Sequence, residues 1–233
     1  MITRDIPYMC GDKALTGYLA TPGGARPGVL VCHQGMGVTE HSRERARMLA
    51  DEGYAAFALD MYGETATTRE RAMELLQSMT GDPALLRRRA LAGLEVLKAQ
   101  DGVGKLAAVG YCFGGAVVLE LARASIALEC VVAFHPGMAG PVALPDSDAR
   151  KVNAKVMVCA GADDPLVPDG AKTKFAELMN AAGADWQLLV YGGAAHSFTD
   201  PSVDALNLPG FKYHAATDRR SWAAMKDLFG EVF

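Results

Sequence analysis

The sequence predicts an α/β protein: an open, mostly parallel central sheet with helices on both faces. Three observations carry this. Short continuous apolar runs recur along the chain, amphipathic helical segments fall between them, and His, Asp and Gly gather where the apolar runs end.

The first element differs from the rest. Residues 3–22, "TRDIPYMCGDKALTGYLATP", alternate apolar and polar side chains about Gly11-Asp12, the pattern of an antiparallel hairpin. The style then changes. The runs "GVLVC" (28–32), "YAAFALD" (54–60), "KLAAVGY" (105–111), "ECVVAF" (129–134), "KVMVCA" (155–160) and "WQLLVY" (186–191) suit strands buried on both faces. Residues 41–52, 69–79, 83–99, 113–124, 168–182 and 218–232 have the helical period. Asp82 and Pro83 form a helix start, with a capping carboxylate followed by a residue whose missing N–H is not needed there. No repeat, low-complexity tract or linker interrupts the series, so residues 1–233 read as a single domain.

Composition narrows the function classes. Half of the 233 residues are apolar, enough for a sizeable core without staples. The net charge is −4 with no basic run, so neither nucleic acid nor a membrane surface is an expected partner. No apolar stretch approaches the roughly 18 residues that span a bilayer, and "MITRDIPYMC" has no signal-type segment. A cytoplasmic location is expected. The five cysteines, Cys10, Cys32, Cys112, Cys130 and Cys159, include no CxxC pair. Cys32, Cys130 and Cys159 lie inside strand-like runs, where a thiol acts as a small hydrophobe. There is no HExxH, no GxGxxG and no Walker lysine, so neither a metal nor a nucleotide cofactor is expected.

In an open α/β sheet, ligands bind beyond the carboxyl ends of the strands. Those ends here lead into "HQGMG" (33–37), "MYGE" (61–64), "CFGG" (112–115), "HPGM" (135–138), "GADDPLVP" (161–168) and "GGAAHSF" (192–198). In "GYCFGGA" a strand runs into Gly110 and a helix begins after Cys112. A residue on such a turn is strained and projects above the sheet, and its neighbours two before and two after must be small. Gly110 and Gly114 meet that demand. The helix N-terminus favours a thiolate, and the N–H of Phe113 is placed as an oxyanion donor. On this motif alone, a glycine-rich turn with Cys112 as filler competes.

The later strands weigh against filler. One delivers Asp163 and Asp164, and the next delivers His196, in the order Cys, Asp, His. Imidazole can exchange the thiol proton, and a carboxylate can orient it and stabilise its cation. His33 and His135 follow strands too, and read either as pocket-lining or as satisfied structural residues.

These segments together resemble the dienelactone hydrolase family, within the α/β-hydrolase fold. "GYCFGG" resembles its cysteine elbow and "AAHSF" its histidine loop. "GADDPLVP" resembles its Gly-x-x-Asp-x-x-Val-Pro acid loop, which selects Asp164 over Asp163. "GVLVCHQGMGVTEHSRERARMLADEGYAAFALDMYGE" resembles its first strand–helix–strand unit, and "DRRSWAAMKDLFGEVF" its closing helix. The resemblance implies a Cys112–His196–Asp164 hydrolase of small-molecule esters or lactones, working through an acyl-enzyme without metal or cofactor. It also implies the N–H of Gly35 as second oxyanion donor beside that of Phe113. Two positions depart from the family. Gln34 stands where members often carry a glutamate that takes part in forming the thiolate. Thr199 and Asp200 follow "HSF", where the dienelactone enzymes place an arginine for the substrate carboxylate. Arg69 and Arg71 are the nearest replacements in sequence terms, against ordinary surface ion pairing. The alternative function is a non-hydrolytic protein of this fold that binds a small ligand or senses oxidants through Cys112.

Overall fold

The computed structural model of the chain describes residues 1–138 and 151–233. Its strands are β1 (Ile2–Cys10), β2 (Lys13–Thr21), β3 (Arg26–Cys32), β4 (Ala55–Leu59), β5 (Val103–Tyr111), β6 (Cys130–Phe134), β7 (Lys155–Gly161) and β8 (Trp186–Tyr191). They form an eight-stranded sheet in the order β1-β2-β4-β3-β5-β6-β7-β8. The hairpin pairs antiparallel, β1 to β2 and β2 to β4. The pairs β3–β4, β6–β7 and β7–β8 are parallel. The α-helices of the described residues are α1 (Glu40–Asp51), α2 (Arg69–Thr80), α3 (Pro83–Lys98), α4 (Phe113–Arg123), α5 (Asp169–Ala181) and α6 (Ala215–Val232).

By packing, the chain divides into two compact units, Met1–Val109 and Gly110–Phe233. In the first, β4 is buried along its whole length, as its apolar run predicts. Helix α1 packs on β2, β3 and β4, burying Ala46, Leu49 and Ala50. Helix α3 packs on β3 and β4, and Gly93 is the reason it can come so close. A Cβ there would stand 2.7 Å from that of Leu59. Asp82 accepts the Leu85 N–H at 2.9 Å with Pro83 in the first turn, a cap that contributes about 1 kcal/mol. Met61 and Met79 are buried in this unit, while Met73 is exposed.

In the second unit β6 and β7 are the buried strands, and Cys130 and Cys159 are inaccessible core residues. Helix α4 is buried on almost every side and packs on β6. Helix α6 also packs on β6, burying Met225, Leu228, Phe229 and Val232.

One expectation needs correction, and one element lies outside the expected series. The run 186–191 forms a strand, but β8 is the sheet edge and only half-buried, with Val190 exposed. Its apolar residues cover one neighbour, β7, rather than two. A 3-10 helix also spans Pro201–Leu206. Asp200 caps it, accepting the Ser202 N–H at 2.9 Å and its hydroxyl at 2.7 Å. Asp200–Pro201 repeats the start chemistry of Asp82–Pro83.

The steric demand of the turn from β5 into α4 is measurable. A Cβ on Gly110 would lie 1.9 Å from the carbonyl oxygen of Gly114, which is backbone and cannot yield. Gly110→Ala is therefore expected to lower the unfolding free energy by about 3 kcal/mol or more. Gly192→Ala, where nothing lies within 4 Å, is expected to cost less than about 1 kcal/mol. Urea denaturation of both variants checks the difference.

Candidate active site

Cys112 follows β5 directly as the N-cap of α4, with φ 53° and ψ −112°. A non-glycine residue adopts a positive φ of this kind only where the surroundings impose it. Two contacts impose it here. The Cys112 N–H donates to the Phe134 carbonyl at 3.0 Å, and its own carbonyl accepts the Gly115 N–H at 3.0 Å. Gly115 is needed for a separate reason, since a Cβ there would stand 2.8 Å from Pro136 Cβ. The result is a half-buried thiol at the positive end of α4, with Phe113 directly after it as the first helical residue.

The acid and histidine loops are brought together by a second close approach. A Cβ on Gly161, the last residue of β7, would meet the Ala194 carbonyl oxygen at 2.2 Å. Across that contact the Ala162 N–H donates to the Tyr191 carbonyl at 2.9 Å, and the Asp163 N–H to that of Ala194 at 3.0 Å. Asp163 is left exposed, whereas Asp164 turns inward and is buried. Asp164 Oδ1 accepts the Leu166 N–H at 2.8 Å, which leaves Oδ2 to accept from His196 Nδ1 at 2.8 Å. The choice of Asp164 over Asp163 is thus set by the turn it occupies.

His196 is fully buried. Its backbone is pinned on both sides by the segment that follows the 3-10 helix: its N–H donates to the Gly210 carbonyl at 2.9 Å, and its carbonyl accepts the Lys212 N–H at 3.0 Å. Phe211 lies edge-to-face on the imidazole at 4.8 Å, and His135 does so at 5.2 Å. Nε2 is buried as well. The side chain it answers to is Cys112, which acts on it by charge and as a hydrogen-bond partner. Burial pulls the imidazole's proton affinity down. The negative charge of Cys112, the hydrogen bonds to Asp164 and Cys112 and the charge of Asp164 outweigh it and carry the group from 6.5 to about 10. Asp164 and Cys112 thus both act on the His196 ring, and both favour its charged form.

The remaining candidates separate. His33 is a satisfied structural histidine of the first unit. The Met61 N–H donates to its Nε2 at 3.2 Å, so Nδ1 carries the proton and donates to the Gln34 carbonyl. Burial lowers its proton affinity accordingly. Gln34 and Gly35 lie in the turn after β3, where the Gln34 carbonyl also accepts the Gly37 N–H at 3.3 Å. Arg71 is committed to Glu64 at 2.6 Å and Glu74 at 2.8 Å on the exposed face of α2, and Arg69 is exposed. His214 caps α6 by accepting the Thr217 N–H. Phe211 is not marked by its sequence context, and Thr199 is marked only as a departure from the family's arginine, not as a partner of His135. Phe211 stands 15 residues beyond His196 in a stretch without periodicity. Among the described residues no group of three or more His, Cys, Asp or Glu is arranged to hold a metal ion.

Comparison with known proteins agrees with this architecture. The model of the dienelactone hydrolase family matches residues 15–233. A solved dienelactone hydrolase-like promiscuous phosphotriesterase from metagenomic libraries is 41% identical, covers 100% of this chain and 98% of its own, and superposes with a TM-score of 0.94. A Salmonella typhimurium protein described as a "putative carboxymethylenebutenolidase" is 28% identical over 95% of this chain and 84% of its own length. With its eight-stranded sheet and a family match over almost its whole length, the chain belongs to the dienelactone hydrolase family of the α/β-hydrolase fold.

Proposed function

We propose that the protein hydrolyses a small carboxylic ester or lactone through a covalent thioester on Cys112. The observation that carries this is the buried His196 ring, bonded to Asp164 at 2.8 Å, with Cys112 as the neighbour that raises its proton affinity. A filler cysteine needs no such partner.

The steps follow from the charges. The Cys112 thiolate attacks the substrate carbonyl, and the oxygen gains a negative charge. The N–H groups of Phe113 and, by family resemblance, Gly35 are the donors for that oxyanion. As the C–O bond breaks, His196 gives its proton to the departing alkoxide, leaving a neutral imidazole and a thioester. The neutral imidazole then takes a proton from water as it attacks the thioester, and collapse releases the carboxylic product and restores the thiolate–imidazolium pair. Asp164 keeps the ring in one tautomer throughout.

With Gln34 in place of a glutamate, thiolate formation rests on His196 and the α4 N-terminus, because an amide cannot take up the proton. The commitment of Arg71 to Glu64 and Glu74, and the carboxylate at Asp200, favour an uncharged substrate over a carboxylate-bearing one. The same thiolate and donors suit a phosphoryl centre, so an activated phosphotriester belongs in the assay beside the ester.

With p-nitrophenyl acetate, wild-type protein is expected to show sustained turnover. Cys112→Ala is expected to abolish it, and His196→Gln to lower kcat/KM by roughly 10²–10⁴-fold. A single burst in the wild type without further turnover would instead favour an acyl-accepting or oxidant-sensing thiol. Full activity in Cys112→Ala would overturn the reading. A pH series tests the charge state separately. Because the folded-state value of His196 is raised, the stability it contributes is complete below about pH 6.5 and is lost as pH rises through about 10. Cys112→Ala removes the charge that raises it, so its alkaline fall in Tm is expected at lower pH than in wild type.

A further inference from the structure

The triad reading leaves one buried histidine without a task. His135 follows β6, is inaccessible to solvent and holds a φ of 37°. Its N–H donates to the Cys159 carbonyl at 2.7 Å, which fixes the backbone in that left-handed turn. Its Nε2 lies 2.8 Å from the Thr199 hydroxyl, and Thr199 is itself fully buried, three residues beyond His196. The ring packs edge-to-face with His196 at 5.2 Å and with Phe198 at 5.0 Å, and at a tilt with Tyr111 at 6.2 Å.

We propose that His135, oriented by Thr199, is a positioning residue for His196: its neutral ring fixes the angle of the imidazolium and stabilises its positive charge. This rests on the triad reading. The titratable side chains against His135 include His196 from the loop after β8 and Tyr111, the last residue of β5; Asp164 is bonded to that His196 ring, and Cys159 of β7 meets His135 through its backbone carbonyl. Of these, His196 is the cation. Two buried imidazolium rings at 5.2 Å would repel, so a charged His196 keeps His135 neutral. A cation over the face of a neutral aromatic ring, within about 6 Å of its centroid, is attracted to it, and the T-shaped packing of the two rings is the arrangement that sets one ring's edge against the other's face. The Thr199 hydroxyl can hold that ring without adding charge, which a carboxylate partner could not do.

The test is the titration of the His196 ring by proton NMR in the intact protein, assigned with His196→Gln. His135→Phe keeps the aromatic ring and loses the hydrogen bond, whereas His135→Leu loses both. The alkaline midpoint of His196 is expected to fall by half to one pH unit in His135→Leu, about a three- to tenfold weaker hold on the proton. It is expected to fall by a smaller and similar amount in His135→Phe and in Thr199→Val, each of which keeps a ring at 135 and loses the hydrogen bond that orients it. If the Leu variant lost activity with the midpoint unmoved, or if the Phe variant fell as far as Leu, the proposal would be wrong. Should the His135 variants not fold, Thr199→Val decides alone, and an unmoved midpoint there overturns the proposal. A wild-type His196 that titrates near 6.5 would overturn the triad's charge state itself, a different failure that takes this proposal with it.

Discussion

The carbonyl oxygen of Gly114 occupies the space where a side chain on residue 110 would begin, 1.9 Å from an ideal Cβ. That crossing of backbone over backbone lets β5 pass into α4 without a loop. It forces Cys112 to φ 53° and puts the thiol at the helix N-terminus instead of in the sheet. The same device recurs where β7 ends, with Gly161 against Ala194, and there it presses the acid loop onto the histidine loop. Both approaches are made by backbone atoms, so their precision does not depend on side-chain packing. Cys112, His135 and Ser197, non-glycine residues with positive φ, lie at or beside the candidate site.

Electrostatics then set the protonation state. A buried histidine is ordinarily neutral, as His33 shows: its two ring nitrogens are matched by one backbone donor and one backbone acceptor, and burial lowers its proton affinity. His196 is equally buried and goes the opposite way, because its neighbours are a carboxylate and the Cys112 sulfur. The contrast between these two histidines is decided by partners rather than by depth.

Much of this was legible in the residues. The continuous apolar runs mark β3 to β7 because a strand buried on both faces cannot alternate. Gly110, Gly114, Asp164 and His196 are readable because short motifs stand for local backbone geometry. What escaped was tertiary. The pairing of Thr199 with His135 and the placement of Phe211 on His196 join residues on different loops, and no local pattern encodes them. The 3-10 helix at Pro201–Leu206 is different, since Asp200–Pro201 carries a start signal and only the shortness of the helix hid it.

The most direct measurement is intact mass of the protein quenched during steady turnover of p-nitrophenyl acetate, followed by peptide mapping. One acetyl group per chain, located on Cys112, present during turnover and gone when substrate is exhausted, is the expected result. Continued hydrolysis with Cys112 never acetylated would contradict it, because the thiol would then not be the nucleophile.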